Sequence, residues 1–535
     1  MSKLAKALTA AAGNAAGESL YVEDVFSTYL YTGNGSSITI NNGIDLAGEG
    51  GVVWTKSRTD TNLHYLQSSE TTGYLSSNNT NAIAGGNYVN FASDGYTFPY
   101  DFAGWNGSGR DYASWTFRKA EKFFDVVTYT GNGVAGRTVA HNLGSTPATI
   151  IIKCTTDTQS WVVYHTSLGA TKYLTLNTTN ASGTTSVTFN DTEPTDSLFS
   201  VGTAGSVNAS GQTYVAYLFA SDAGGFGDDG SENIIKCGSF ATGAQGKISS
   251  PVDCGFEPQW LLVKNSGASE NWNLYDVMRG LTVEADAILN PNLSNAEDTG
   301  TKLTVTATGF DTPLVNGPFA SGASYIYIAI RRPMKTPESG TEVFAPVLYT
   351  GDGSSPKTVS GAGFAPDALW QLVRTGSANS PRPYDKLRGT KQIMSFNSQS
   401  AEYTDNNVYS LTNDGAEFGS QNNNSGVDYA SYFFKRAYSF FDVVCYTGDG
   451  ASTKTITHGL GVTPELAIVK RRNVQDFWAV AHKDYLPSYN SVINSTNGFI
   501  YDASRYIQNL ASSTFRVGTY DEVNASGSTY VAYLY

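Results

Sequence analysis

Residues 124–133 read Phe-Asp-Val-Val-Thr-Tyr-Thr-Gly-Asn-Gly, a run of aromatic and β-branched residues that ends in a glycine turn. Such residues favour strands, and Asn-Gly favours a tight turn. The turn Tyr-Thr-Gly-(Asn/Asp)-Gly recurs at three other places, and a degraded version, Ala-Thr-Gly-Ala, begins at Ala241. The first glycines of the five turns are 98, 112, 108 and 97 residues apart; they are Gly33, Gly131, Gly243, Gly351 and Gly448. This period indicates a tandem repeat.

Two further landmarks keep the same order in every copy of the pattern. After the turn comes an apolar run that ends in a base, at Lys56, Lys153, Lys264, Arg374 and Lys470. Each copy then closes on an aromatic run, at residues 112–117, 214–219, 325–330, 429–434 and 530–535. The closing runs are apolar on both faces, which predicts a central strand covered on both faces, with an adjacent copy or another subunit as one of the covers. We expect each terminal base to extend past the strand end towards solvent.

The spacing of short apolar runs decides the fold class. The second copy contains eight such runs separated by turn residues, which predicts an all-β sandwich. The predicted strands cover residues 124–129, 137–141, 148–153, 161–164, 172–176, 185–189, 198–201 and 214–219. We therefore predict an all-β protein of five tandem β-sandwich modules, jelly-roll-like and about 100 residues each, after a short N-terminal helical arm. The arm covers residues 1–22, and the modules, called copies 1 to 5 below, cover 23–120, 121–222, 232–334, 342–438 and 439–535.

The connections between copies differ in length. Modules of about 100 residues can bury their own cores, so we interpret the copies as beads and not as the thin units of a solenoid. Copies 1 and 2 join abruptly through residues 118–123, and copies 4 and 5 join through residues 435–440. The Gly/Asp-rich connection 220–232 and the Pro-containing connection 333–342 are longer and should permit more bending. A linear and a closed arrangement of the modules both stay open.

Charge and hydropathy exclude several classes of function. The chain has 34 Lys and Arg residues against 47 Asp and Glu residues, a net charge of −13 and no basic cluster, which argues against a nucleic-acid partner. No apolar stretch approaches the ~18 residues of a membrane helix, so we expect no membrane insertion. Residues 1–17 combine lysines with an alanine-rich run; we interpret them as a short helix or arm, with a weak export signal as the alternative.

The search for chemistry gives no catalytic, cofactor-binding or metal site, so we predict that the protein is not an enzyme. No metalloprotease, serine-hydrolase or phosphate-loop motif occurs in the sequence. His141 and His458 hold equivalent positions before a Gly/Pro corner, where they are either paired ligands or duplicated corner packing, and we favour packing. Asp228 and Asp229 offer carboxylates to calcium, but the spacing of a calcium loop is absent and a Gly/Asp linker is the favoured reading.

Cysteines and aromatic residues also favour a structural reading. Four cysteines in 535 residues do not make a disulfide scaffold. Cys154 and Cys445 lie in apolar runs and are predicted to be buried thiols, while Cys237 and Cys254 are 17 residues apart and could pair. The 33 tyrosines and 8 tryptophans could form platforms for sugar or protein. We favour sandwich cores and packing between copies, because many aromatics fall at landmark positions.

Five segments carry a resemblance to a known group of proteins: residues 123–133, 141–147, 168–172, 208–217 and 224–230. They resemble tandem-repeat virion proteins of marine tailed bacteriophages, cyanophages among them. The resemblance covers essentially the whole chain after the N-terminal arm and is strongest in copies 2 and 5. It implies a component of the extracellular phage particle, of the tail-fibre, appendage or capsid-decoration kind, and it implies no enzymatic residues.

The function expected from these observations is that of a non-enzymatic virion structural protein, a tail fibre or appendage that contributes to host adhesion. Residues 2–18 would anchor it to other virion proteins, and a glycan or protein of the host surface would be a further partner. We also expect a homo-oligomer, since the doubly apolar closing strands leave surface to cover. The alternatives are a capsid decoration protein and a secreted bacterial carbohydrate-binding or hydrolytic protein.

Overall fold

A computed structural model describes residues 19–282, 286–301, 303–312, 317–376, 380–486, 489–494 and 505–535. Strands make up 42% of the structure and helices 7%, and the strands form many antiparallel sheets. The all-β prediction is therefore confirmed. Residues 1–18 of the predicted arm lie outside the described residues, and the described part of that segment leads into a single helical turn, α1, at Val22–Val25.

Copies 1 and 2 each contain one large and one small antiparallel sheet. In copy 1 the sheet orders are β1-β8-β3-β4-β5 and β2-β7-β6, and in copy 2 they are β14-β13-β12-β11-β16-β9 and β10-β15. The elements of copy 1 are β1 Phe26–Thr32, β2 Ile38–Asn41, α2 Leu46–Glu49, β3 Gly51–Ser57, β4 Tyr65–Ser68, β5 Leu75–Ser76, β6 Asn90–Ala92, β7 Gly95–Phe98 and β8 Asp111–Arg118. Those of copy 2 are β9 Phe124–Thr130, β10 Arg137–Ala140, β11 Thr149–Cys154, β12 Val162–His165, β13 Lys172–Thr175, β14 Gly183–Thr184, α3 Ser186–Phe189, β15 Leu198–Val201, α4 Gly205–Asn208 and β16 Thr213–Phe219.

Copies 3 and 4 repeat this plan and add a two-stranded ladder. The large sheets are β17-β25-β19-β20 and β26-β34-β28-β29, the small ones β18-β24-β23 and β27-β33-β32, and the ladders β21-β22 and β30-β31. In copy 3 the elements are β17 Ile235–Ala241, a 3-10 turn Ala244–Gly246, β18 Val252–Asp253, β19 Pro258–Asn265, β20 Asn273–Asp276, β21 Asp286–Ile288, β22 Asp298–Thr301, β23 Thr304–Thr306, β24 Gly309–Asp311 and β25 Ser324–Arg331. In copy 4 they are a 3-10 turn Gly340–Glu342, β26 Phe344–Thr350, β27 Lys357–Ser360, β28 Ala368–Val373, β29 Arg382–Asp385, β30 Gln392–Ile393, β31 Tyr403–Thr404, β32 Val408–Leu411, β33 Gly415–Phe418, a 3-10 turn Ser420–Asn422 and β34 Asp428–Phe434.

Copy 5 returns to the plan of copy 1, with sheet orders β35-β42-β37-β38-β39 and β36-β41-β40. Its elements are β35 Asp442–Thr447, β36 Lys454–Thr457, β37 Leu466–Arg471, β38 Trp478–His482, a 3-10 turn Lys483–Tyr485, β39 Ser491–Val492, β40 Ile507–Leu510, β41 Thr514–Val517, α5 Asp521–Asn524 and β42 Thr529–Leu534. Each ladder in the described part of the chain pairs two strands of the same copy. Independent folding of each copy stays a prediction.

One predicted strand of copy 2 is wrong. Residues 186–189 of this run form the helical turn α3, and Thr185 is its N-cap, whose side chain accepts a hydrogen bond from the backbone N–H of Val187. The hydroxyl of a threonine competes for nearby backbone donors and favours such caps over a ladder. The other seven predicted runs of this copy are strands or overlap strands.

The closing strand is central in every large sheet, as predicted. It lies between the first strand of its copy and the apolar run that ends in a base, for example β16 between β9 and β11. One face packs on the small sheet of the same copy: in copy 4, Leu369 and Phe433 share a core with Val359 and Phe418. The other face is buried in copies 1, 2, 3 and 5, at Trp115, Tyr217, Ile328 and Tyr533, whereas Tyr432 of copy 4 is half-buried. As predicted, an adjacent copy supplies one cover: Trp115 and Tyr533 bond Asp276 and Asp385 of neighbouring copies.

The longer connections are anchored to the rest of the chain. In the segment 220–232, Phe226 is buried and the backbone N–H of Gly227 donates to the carbonyl of Leu20. In the segment 333–342, Met334 is buried, and its backbone N–H donates to the Glu23 carboxylate at 2.8 Å. The first connection therefore contacts the segment that leads into α1, and the second contacts α1 itself.

Candidate functional site: a repeated joint between copies

The lysines that end the apolar runs are buried, so the expectation that they reach solvent is wrong. Lys56, Lys153, Lys264 and Lys470 are all fully buried. In copy 4 the strand position of these lysines holds Leu372, which pairs with Ala430, and Arg374 lies two residues further on and is exposed. The Lys153 ammonium donates to the carbonyls of Cys154 at 2.7 Å and Thr80 at 3.2 Å. Because Thr80 belongs to copy 1, this lysine links two copies through backbone oxygens.

The same lysine marks the site where a loop of another copy enters. In copy 2, the backbone N–H of Gln159 donates to the carbonyl of Thr80 at 3.0 Å, and the N–H of Ile83 donates to the carbonyl of Thr155 at 2.9 Å. We call this pair of bonds a joint, residues 80–83 the inserting loop and residues 155–159 the receiving edge. The receiving positions lie two and six residues after the lysine.

Three more joints have the same spacing. The inserting loops 179–182, 294–297 and 399–402 bond the receiving edges 266–270, 58–62 and 472–476. The two bonds of each joint are 2.7–3.0 Å long; the donor and acceptor pairs are Glu270 to Thr179, Ser182 to Ser266, Asn62 to Ser294, Glu297 to Arg58, Asp476 to Gln399 and Glu402 to Arg472. Copy 1 therefore inserts into copy 2, copy 2 into copy 3 and copy 3 into copy 1, while copy 4 inserts into copy 5. The first three copies form a closed ring.

Three tryptophans at equivalent positions complete the joints. The indole N–H groups of Trp161, Trp272 and Trp478 donate to carbonyls of the inserting copy, at Ser76, Thr175 and Ser395 respectively. The three bonds are 2.9, 2.9 and 3.0 Å long. A buried indole needs such a partner, so each tryptophan fixes the distance between two copies.

Aromatic residues from all three copies meet at the centre of the ring. The ring of Phe117 in copy 1 lies 5.7 Å from that of Phe219 in copy 2 and 5.6 Å from that of Trp260 in copy 3. Both contacts are edge-to-face, an arrangement that aromatic pairs prefer. The core shared by copies 1 to 3 is therefore continuous across their boundaries.

The joint from copy 3 to copy 1 contains a buried ionic network. Asp276 accepts hydrogen bonds from Arg279 Nε at 2.5 Å and from Trp115 Nε1 of copy 1 at 3.0 Å. Glu297 pairs with Arg58 of copy 1 at 2.8 Å and with Arg279 at 3.1 Å. Burial alone would raise the pKa of Glu297, but the charges of Arg279 and Arg58 outweigh it and lower that pKa.

The joint from copy 4 to copy 5 repeats this network. Asp385 accepts from Arg388 Nε at 2.6 Å and from the Tyr533 hydroxyl of copy 5 at 2.8 Å. Glu402 pairs with Arg472 of copy 5 at 2.6 Å and with Arg388 at 2.7 Å. Two joints remote in sequence thus share the same arrangement of two acids and two arginines around an aromatic hydrogen-bond donor.

A second network attaches the last two copies to the ring. Arg436 holds Glu257 of copy 3 with two bonds of 2.6 and 2.7 Å and donates through Nε to Asp442 of copy 5 at 2.7 Å. Arg332 of copy 3 also pairs with Asp442, at 3.3 Å. Bidentate bonds of this kind fix orientation as well as distance.

Burial also changes the protonation of the joint lysines. It lowers the pKa of Lys56, Lys153, Lys264 and Lys470 from 10.5 to about 8. The carbonyls that accept from these lysines carry no full charge. The cost of burying the charged ammonium groups is therefore offset only in part, by nearby carboxylates. The lysines act as hydrogen-bond donors in the joints.

The structure uses the two corner histidines for packing. The Nε2 atoms of His141 and His458 lie 3.3 and 3.0 Å from the carbonyls of Thr195 and Ala511, and each Nδ1 accepts from the backbone N–H two residues later. Burial lowers the pKa of both histidines. These contacts match the duplicated corner packing that we favoured from the sequence.

The structure also shows the contacts of the aspartates considered as calcium ligands and of the cysteines considered as a disulfide. Asp229 accepts from the backbone and the hydroxyl of Ser231, and Asp228 bonds the Tyr21 hydroxyl. Within the described ranges, no three His, Cys, Asp or Glu side chains form a group that could hold a metal ion. Cys237 and Cys254 are buried free thiols rather than a disulfide, and burial raises the pKa of both to about 12.

These features define an all-β protein whose sandwich-like copies are fastened to one another through repeated joints. The chain belongs to the DUF7483 family, described as a domain of unknown function, whose model matches residues 22–333 and 339–535. The first match contains the closed ring of copies 1 to 3, and the second contains copies 4 and 5. A search of curated proteins gives no match. In the portion of the chain that the structure describes, no helix has the length and apolar character needed to span a membrane.

Proposed function

We propose that the protein is a non-enzymatic structural component of a bacteriophage particle, a tail fibre or appendage that contributes to host adhesion. The observation that carries this proposal is the repeated joint. The buried Lys153, Lys264 and Lys470, the three tryptophans of the joints and the ionic networks contact backbone carbonyls and side chains of neighbouring copies. Charged and aromatic side chains that could otherwise take part in catalysis thus hold the copies together. This use suits a structural component of a particle.

The resemblance to tandem-repeat virion proteins supports the same proposal. The resemblance indicates the class of particle. The family is described only as a domain of unknown function. In this proposal residues 1–22 attach the chain to other virion proteins, and the copies project towards a glycan or protein of the host surface. The protein acts in the extracellular particle, without a cofactor.

The test is to locate the chain on purified particles of the phage that encodes it. Immunogold labelling with an antibody against copy 2, combined with quantitative mass spectrometry, should place a few copies on the tail. Label over the head at tens to hundreds of copies would replace the tail proposal with capsid decoration. Absence from particles, together with glycan binding or hydrolysis by the purified chain, would favour a secreted carbohydrate-active protein and overturn the proposal.

A truncation tests the role of the N-terminal segment. Deleting residues 2–18 should leave the far-UV circular dichroism of the β-sandwich copies unchanged, because the strands of the described sheets lie within residues 26–534. The truncated chain should be lost from particles during assembly. Normal incorporation of the truncated chain would contradict an anchoring role.

A further inference from the structure

One position of β4 distinguishes copy 1 from copies 2 to 4. Gln67 in β4 pairs with Val53, which lies three residues before the buried Lys56. At the same register the corresponding strands β12, β20 and β29 carry buried tyrosines: Tyr164, Tyr275 and Tyr384. In copy 5 the position holds Ala481. Copy 1 thus places an amide side chain where three other copies place an aromatic ring.

The Gln67 side chain is buried and makes three hydrogen bonds to one segment of copy 1. Its Nε2 donates to the Asn87 side chain at 2.8 Å and to the Val89 carbonyl at 3.2 Å. Its Oε1 accepts from the backbone N–H of Tyr88 at 3.1 Å. These bonds use both donor hydrogens of the amide. Gln67 therefore fixes residues 87–89 beside β4.

A groove of about 500 Å³ is lined by residues of β4, of β6 and of the segment that Gln67 fixes. This volume lies within the range of small-molecule sites, about 300–1,000 Å³. The lining contains amides, hydroxyls and one aromatic ring but no charged side chain, and includes Gln67, Thr72, Asn87, Asn90 and Phe91. The clefts where copies 3, 4 and 5 meet, by contrast, contain the charged residues of the ionic networks. The groove therefore suits an uncharged polar ligand.

Two side chains of the groove keep hydrogen-bonding capacity for a ligand. Asn90 and Thr72 are exposed, and among the described residues Asn90 Nδ2 and the Thr72 hydroxyl have no hydrogen-bond partner. Asn90 Oδ1 accepts from Asn87 Nδ2 at 3.0 Å, which orients the Asn90 amide. Phe91 is half-buried, so part of its ring is accessible. The groove thus offers free donors beside an aromatic surface.

A second aromatic residue lies beside the groove. Tyr100 is 42% exposed, and its hydroxyl donates to the carbonyl of Asn87 at 3.3 Å. Its ring lies edge-to-face with that of Tyr88, with the centroids 5.6 Å apart. Tyr100 is therefore held next to a residue that lines the groove, with much of its surface open to solvent.

We propose that this groove of copy 1 binds a neutral saccharide. The hydroxyls of a sugar both donate and accept hydrogen bonds, as the amides and hydroxyls of the groove do. One face of a sugar ring presents C–H bonds, which pack on the electron-rich face of an aromatic ring such as Phe91. An acidic sugar or a phosphate would find no cation in the lining to pair with its charge. This inference rests on the proposed host adhesion and adds the class of ligand and the copy that binds it.

The test applies the full-length chain to an array of purified bacterial polysaccharides, both neutral and acidic. The wild type should bind at least one neutral polysaccharide, and biolayer interferometry then measures its affinity. Asn90→Ala removes a free donor and should weaken binding about 2–10-fold. Asn90→Trp should fill the groove and abolish binding. Asn41→Ala is the matched control and should leave binding unchanged, because Asn41 is an exposed asparagine in β2, at the other edge of the same small sheet.

Three outcomes would overturn the inference: binding to acidic polysaccharides alone, no binding to any neutral polysaccharide, or neutral binding that both Asn90 substitutions leave unchanged. Circular dichroism checks that the variants are folded. Immunogold labelling of the particle separates this result from the proposed function. A chain that labels the tail but binds no neutral polysaccharide keeps the particle role and loses the saccharide site. Groove-dependent binding by a chain that is absent from particles keeps the site and overturns the particle role.

Discussion

Copies 1 to 3 and copies 4 and 5 use the same joint with different outcomes. In the first group the loop 294–297 returns to copy 1 and closes a ring, whereas in the second group the described residues form a single joint, from copy 4 to copy 5. The ionic network around Asp276 has an almost identical counterpart around Asp385, so the difference does not lie in the joint itself. It lies in the number of copies joined. The ring should therefore behave as one cooperative unit and the pair as a separate, weaker one.

Removing residues 530–535 should produce the largest difference in stability between the ring and the pair. These residues form most of β42, the central strand of copy 5, and Tyr533 also bonds Asp385 of copy 4. Each large buried side chain contributes about 1.5–3 kcal/mol, so the loss is comparable with the ~5–15 kcal/mol of a whole domain. Copies 4 and 5 should unfold, while the ring should keep its melting temperature.

Limited proteolysis with mass spectrometry checks this outcome. The truncated chain should yield a resistant fragment that contains residues 19–333, and calorimetry should retain one transition. Loss of all structure in a single step would show that the five copies depend on one another and would end the distinction between ring and pair.

Asparagine substitutions at Asp276 and Asp385 compare the two joints directly. Each removes the charge that faces a buried arginine, Arg279 or Arg388, and leaves that arginine partly uncompensated. Breaking a buried pair in this way costs about 3–5 kcal/mol. Asp276→Asn should lower the transition of the ring, and Asp385→Asn should lower that of the pair, as measured by calorimetry.

An exposed ion pair provides the control for these substitutions. Lys483 and Glu465 lie on the surface of copy 5 at 2.5 Å, and Glu465→Gln should leave both transitions unchanged. If Asp276→Asn and Asp385→Asn lowered the same transition, the ring and the pair would be one cooperative unit.

Much of the fold could be predicted from the sequence because strands and turns leave local signals. The glycine turns, the apolar runs and the closing strands recur in register, and alternation along a strand such as β42 predicts which side chains share a face. Such local signals fail at Thr185, where the sequence predicts a strand but the capping hydroxyl stabilises a helical turn.

The joints could not be predicted, because their bonds join backbone atoms. The inserting loops begin at Thr80, Thr179, Ser294 and Gln399, three hydroxyl residues and an amide, which are too common in this chain to mark a position. Two signals were present in the sequence. A lysine ends the apolar run in four of five copies, and Asp-x-x-Arg occurs at Asp276 and at Asp385. Long-range partners of such residues emerge only when the copies are placed in space.

Methionine substitutions at Lys153 and Arg374 compare a buried joint lysine with an exposed base. Lys153→Met removes the ammonium that donates to the carbonyls of Thr80 and Cys154, although Thr80 keeps the N–H of Gln159, and this loss costs about 1–3 kcal/mol. Arg374 is exposed, so Arg374→Met should change stability by less than about 0.5 kcal/mol. Urea unfolding at neutral pH measures both values. Equal effects would mean that the joint lysines contribute nothing beyond an exposed base.

For a single joint lysine, the smallest effect is a rise in stability between pH 8 and 10. The pKa of Lys153 is about 8 in the folded protein and 10.5 when unfolded, so in this window the unfolded chain binds more protons and stability increases with pH. From pH 7.5 to 9.5, each joint lysine should add about 1–2 kcal/mol to the free energy of unfolding. Above pH 10 the sign reverses, because burial raises the pKa of tyrosines such as Tyr96 and Tyr217, and the unfolded chain then loses protons that the folded chain keeps. The urea midpoint of the wild type should therefore be higher at pH 9.5 than at pH 7.5. The increase should be smaller for Lys153→Met, and Arg374→Met should show the same increase as the wild type. A flat or falling midpoint in the wild type would mean that the lysines keep their protons at pH 9.5 and that the joints hold them as cations.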